Sequence, residues 1–150
     1  MYRYLYSITL AIILISSMAL TAGAQQKGES ERKGKQIHES TVNEYSLAYN
    51  LIDMGDAGSE MEGHEEHEGL TPTHHLMVYI TDPDGDTVSQ AKVGFLVKGP
   101  EGAEQKVMGM GMGDGYGADI SLQHPGEYTI RTKAVAGDET LLDSFEYNAD

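Results

Sequence analysis

The chain has no cysteine and no tryptophan, and only two phenylalanines and four prolines among its 150 residues. Without cysteine there is no disulfide frame, no thiolate metal site and no cysteine nucleophile. Basic residues are also scarce: 10 lysines and arginines stand against 24 aspartates and glutamates, a formal net charge of −14. That balance argues against nucleic acid and anionic membrane surfaces as partners, and fits cations or basic proteins. Most of the carboxylates read simply as solvated surface. Catalytic signatures are missing as well. There is no GxSxG and no three-histidine zinc spacing, and the glycines of GMGMGDGYG lack the lysine and following helix of a phosphate loop. No enzyme is expected.

Long apolar runs are absent except one, from Ile8 to Leu20, which ends in Ala22-Gly23-Ala24. It is too short for a convincing membrane span and has the small-x-small close of a secretory signal peptide. Residues 1–24 are therefore expected to be a leader cleaved after Ala24, and the mature protein to be periplasmic or secreted, with no stable membrane span.

What is present is chiefly strand signal. Residues 25–40, beginning QQKGESERKGKQ, read as a flexible polar leader to the domain. Residues 41–150 read as one domain. Tyr45, Leu47, Tyr49 and Leu51 alternate with small or polar residues. So do Leu76, Val78 and Ile80, then Val93, Phe95 and Val97, then the methionine strand described below. Tyr116 to Leu122, Tyr128 to Thr132 and Leu142 to Tyr147 complete the set, separated by turn signals such as DPDGD, Gly99-Pro100 and Gly137-Asp138. Seven short strands without a helical pattern predict an all-β, immunoglobulin-like antiparallel β-sandwich. DPDGD itself has its glycine misplaced for a calcium loop and lacks the distal glutamate, so it is read as a turn.

The unusual stretch is Val107 to Ile120, VMGMGMGDGYGADI. In an extended strand Met108, Met110 and Met112 share one face, and Gly109 and Gly111 the other. Methionine and glycine are poor choices for a strand that only has to pack. Thioethers suit Cu(I), and without cysteine a soft-metal site has to be built from Met and His. His74 and His75 are adjacent and point to opposite faces. His75 shares its face with Met77 and Tyr79, and His74 with Leu76, Val78 and Ile80. The alternative is that both histidines merely cap a strand. A second candidate is HEEHE, with His64 and His67, inside a long acidic loop over residues 55–73. It reads equally as a solvated loop with incidental histidines.

THHLMVYI, MGMGMGDGYGADI and HPGEYTIRTKA together resemble the bacterial exported domains of the YtkA-like/FixH-like group, over a span from about Val42 to Tyr147. That resemblance implies a small immunoglobulin-like sandwich near copper-handling or oxidase-assembly functions. GMGDGYGADI followed by GEYTI also resembles the methionine-bearing strand of the P19/Tp34 family of periplasmic metal-binding proteins. There a histidine precedes the Tyr-Gly pair, where this chain has Gly115, so that site is not carried over whole. The expected function is binding or delivery of copper, as Cu(I) or Cu(II), by His74, His75, Met77, Met108, Met110 and Met112, with His64 and His67 as a further set. The expected partners are the metal ion and a periplasmic or membrane-bound metalloprotein. The competing expectation is a non-catalytic docking module whose methionine face contacts a protein and holds no physiological metal.

Overall fold

The computed structural model describes residues 34–55 and 71–150. The expected leader and the stretch carrying Met61, His64 and His67 lie outside the described residues. The rest forms eight antiparallel strands: β1 (Lys35–Val42), β2 (Tyr45–Asp53), β3 (His74–Thr81), β4 (Lys92–Lys98), β5 (Glu104–Met112), β6 (Gly115–Ile120), β7 (Gly126–Ala136) and β8 (Glu139–Ala149). Their order across the sheet is β1-β2-β3-β6-β5-β4-β7-β8.

The all-β, antiparallel expectation holds, but there are eight strands where seven were expected. The added strand is β1, most of which was assigned to the flexible leader at residues 25–40. Its composition is polar, yet Ile37 and Val42 pack against the core. It pairs with β2 through a two-residue hairpin in which Asn43 and Glu44 have φ of 50° and 67°. Both central residues at positive φ is the type I′ pattern. The usual Asn-Gly mark of that turn is missing here, because Glu44 takes the second position.

The strands form one continuous sheet because β5 is shared. Its first part, Glu104 to Gly109, pairs with β4, whereas Met110, Gly111 and Met112 pair with β6. Where the two strands separate, buried Gln105 spans the gap. Its Nε2 donates to the Ser121 carbonyl at 2.8 Å, and its Oε1 accepts from the Ser121 amide at 2.7 Å. One side-chain amide thus replaces the backbone ladder that the split removes.

The sheet curls until its two edge strands meet. Ser40 Oγ on β1 donates to Asp143 Oδ2 on β8 at 2.5 Å, and His38 Nε2 lies 3.7 Å from the same carboxylate oxygen. The His38 ring stacks on Phe145 with centroids 4.2 Å apart. The result is a nearly closed, barrel-like sheet. Behind the seam sits Tyr49, tilted against Phe145. Burial pushes its phenol well above the ordinary tyrosine pKa; Thr132 opposes the shift and the Asp143 carboxylate reinforces it.

The core follows the period-two pattern. Leu47, Tyr49 and Leu51 of β2, Leu76, Val78 and Ile80 of β3, Val93, Phe95 and Val97 of β4, and Ile130 and Leu141 from the last hairpin are all buried in one cluster. Short turns hold the register. Gly113 and Gly137 open the two-residue turns β5–β6 and β7–β8, each at φ 59° and each followed by aspartate. That is the type II′ arrangement, with glycine where φ must be positive. DPDGD is a turn as expected: Asp82 Oδ1 accepts from the amides of Asp84 and Asp86.

Candidate metal centre

The site is built on the outer face of three neighbouring strands. β3 and β6 pair so that His75 lies opposite Asp119 and Met77 opposite Gly117. β6 and β5 pair so that Gly117 also lies opposite Met110, and Gly115 opposite Met112. One cross-strand row therefore reads Met77–Gly117–Met110, and the row beside it carries His75 and Asp119. Strands lie 4.7–4.9 Å apart, so the Met77 and Met110 backbones are roughly 9–10 Å from each other. Between them Gly117 has no side chain, which leaves a hollow.

Two donor atoms already point into that hollow. A Cβ at Gly117 would fall less than 3.0 Å from both His75 Nε2 and Met77 Sδ. Met77 is buried despite its place on the outer face. His75 Nε2 is buried too, and has no hydrogen-bond partner. The other ring nitrogen is fixed, since His75 Nδ1 sits 2.6 Å from Asp119 Oδ1. An ionised carboxylate only accepts, so Nδ1 is the donor. With Nδ1 as donor, Nε2 is the nitrogen that faces the space over Gly117, and it is the lone pair there that a metal would use. A carboxylate that fixes the tautomer of a histidine, with the second nitrogen free to bind, is the usual support of a metal-ligating imidazole. A buried lone pair left unpaired costs free energy, of order 1–3 kcal/mol.

The three methionines of β5 do not serve the core. Met108, Met110 and Met112 are 67%, 70% and 48% exposed. They forgo the roughly 1.5–3 kcal/mol that a buried methionine would contribute. Met110 borders the hollow, Met112 lies one step along from it, and Met108 sits on the part of β5 that pairs with β4, opposite Gly94. The glycines between them differ in purpose. Gly109 faces inward, where a Cβ would press on Phe95 and Val93 at 3.2 and 3.3 Å; Gly111 has open space around it. Of the two, only Gly111 leaves room for the close approach of another backbone.

His74 lies apart from this cluster. It shares the inward face of β3 with Leu76, and its Nδ1 is 2.8 Å from Thr73 Oγ1, which in turn accepts from the Leu122 amide. The candidates His64 and His67 lie outside the described residues. Beside His74, the Met54 amide donates to the Thr73 carbonyl at 3.0 Å.

Asp119 and Gly117 are the two residues that the sequence reading did not single out. Gly115, Gly117 and Asp119 alternate along β6, so their shared face was readable. What was not readable is the β3–β6 pairing that sets them beside His75 and Met77, because 44 residues separate His75 from Asp119. Among the described residues no three His, Asp or Glu side chains converge on one point. An ion held here has to draw on methionine, and a mixed thioether and imidazole set favours a soft ion such as Cu(I). No family model, curated protein or solved structure matches the chain.

Proposed function

We propose that this chain is an exported copper-binding or copper-delivery protein, and that Cu(I) is held over Gly117 by His75 Nε2 and Met77 Sδ, with Met110 closing from β5. The observation that carries this reading is the buried, unpartnered Nε2 of His75 beside a methionine sulfur, over a position where any side chain would intrude. Asp119 is a positioning residue for the imidazole. Met112 and Met108 extend the thioether row beyond the site, at steps of roughly 6.5–7 Å along the strand. This is a binding function, with no catalytic step assigned to it.

Two features support the finer fold reading, an immunoglobulin-like sandwich curled at its seam and akin to the YtkA-like/FixH-like domains. The strands on either side of the split in β5 face each other across one core. Tyr128 Oη also donates to the carbonyl of His124, four residues upstream, at 2.9 Å, which is the bond of a tyrosine corner.

The test replaces sulfur and keeps shape. Met→Leu swaps usually cost under about 1.5 kcal/mol. The double variant Met77→Leu, Met110→Leu is expected to stay folded and to lose at least about tenfold in Cu(I) affinity, or 1.4 kcal/mol, in competition titration against a chromophoric chelator. Met112→Leu is expected to bind nearly as the parent does. Equal affinity in the parent and the double variant would leave the methionines as contact surface, and the docking-module reading would take precedence.

A further inference from the structure

The outer face of β4, β5, β7 and β8 carries a second feature. The described residues contain six lysines and arginines, Lys35, Lys92, Lys98, Lys106, Arg131 and Lys133. All but Lys35 lie on this one face. Lys92 and Lys98 alternate with buried Val93, Phe95 and Val97 on β4; Lys106 alternates with Gln105 and Val107 on β5; Arg131 and Lys133 flank buried Thr132 on β7. In a chain of net charge −14, this is a concentrated patch of the opposite sign. Among the described residues, Lys98 alone of the five has a carboxylate within ion-pair distance, Glu104 at 3.5 Å.

Lys106, Arg131 and Lys133 line a trough of about 650 Å³ together with Gly94, Leu96, Met108 and Leu142. One cross-strand row reads Leu142, Lys133, Gly94, Met108, and the next Ser144, Arg131, Leu96, Lys106. Leu96 forms the floor beside Gly94, over which Met108 leans, its Sδ 3.5 Å from where a Gly94 Cβ would stand. Leu142 at 64% exposure and Met108 at 67% stand at the two sides. Exposed apolar side chains gathered among charged ones mark a contact surface. Three strand spacings separate Leu142 from Met108, roughly 14 Å. An α-helix with its side chains measures about 10–12 Å across.

We infer that this trough docks an acidic amphipathic helix of a partner protein. The helix lays its apolar face across Leu142, Leu96 and Met108, and its carboxylates meet Lys106, Arg131 and Lys133, which stand between and beside them. This is the helix-in-groove mode of recognition, with charge setting the orientation. Charge complementarity selects the occupant: a second copy of this acidic chain would be repelled as a whole, and a basic helix would be repelled by Lys106, Arg131 and Lys133. Met108 belongs both to the trough and to the methionine row, so the docked helix covers the end of β5 that leads toward Met110.

The experiment uses the metal-free protein, so its outcome is independent of the copper reading. The probe is a fluorescent 18-residue helical peptide of leucine and glutamate with the leucines on one face. The controls are the same peptide with lysine for glutamate, and one with the same composition in scrambled order. Saturable binding of the acidic helix by fluorescence anisotropy is expected. It should weaken as salt is raised, fall at least tenfold in Arg131→Glu/Lys133→Glu and in Leu142→Ser, and be lost with either control peptide. Bound peptide is also expected to slow peroxide oxidation of Met108 relative to Met112, read by mass spectrometry. Three results would each overturn the inference: no saturable binding at low salt, binding unchanged by charge reversal, or preference for phosphatidylglycerol vesicles over the peptide.

Discussion

Gly117→Ala is expected to lower Cu(I) affinity on the order of a hundredfold, roughly 2.7 kcal/mol, and to leave the fold nearly as stable as before. The added Cβ occupies the space over β6 where His75 Nε2 and Met77 Sδ now meet. Met77 Sδ is the far end of a flexible side chain and can swing aside, whereas the His75 ring, held by Asp119, can only tilt; the two then no longer share an ion. The backbone raises no obstacle, since Gly117 is not among the glycines at positive φ. Alanine in place of glycine at a compatible position gains about 0.4–1 kcal/mol through the unfolded chain, which offsets the displacement of buried Met77. A chelator titration and a thermal melt of the same sample separate the two effects. Loss of affinity together with loss of fold would point to a structural glycine; parental affinity in a folded variant would remove the hollow from the account.

The second large effect is on stability. Gln105→Leu is expected to destabilise the protein by roughly 2–6 kcal/mol, because it leaves both the amide and the carbonyl of Ser121 buried and unpaired, at about 1–3 kcal/mol each. For a domain of this size the melting temperature should drop by roughly 10 °C or more. Gln123 is the control. Its Nε2 donates to the Thr71 carbonyl at 3.2 Å from an exposed position, so Gln123→Leu should stay within about 0.5 kcal/mol. Denaturant unfolding of the two variants checks the contrast. Equal stabilities would mean that the split in β5 is closed by something other than the Gln105 side chain.

These two residues also mark where sequence reading stops. Alternation placed Leu47, Tyr49, Leu76, Val78, Val93 and Phe95 on the core face, because a two-residue period is a local property of the chain. It equally set His75 and Met77 on one face of β3, and Met108, Met110 and Met112 on one face of β5. It missed β1, whose Lys-Gln-Ile-His-Glu-Ser composition suits an edge strand and a linker alike and whose hairpin turn uses Asn-Glu. Gln105 was invisible for a different reason. A glutamine between Glu104 and Lys106 looks solvated, and only the divergence of β5 from β6 brings it beside Ser121. The site has the same character. The histidine and methionine of this candidate site were legible in the sequence, but Gly117 and Asp119 come beside them only through strand pairings across 40 residues and more.

In the proposed site, one imidazole and thioether sulfur share a single Cu(I) ion over Gly117. X-ray absorption at the copper edge, on protein loaded with one equivalent of Cu(I), tests it most directly. The expected spectrum has a mixed coordination shell, with sulfur scatterers and a single imidazole, and it loses its sulfur contribution in the Met77→Leu/Met110→Leu variant. A shell of nitrogen and oxygen alone in the parent protein would contradict the claim.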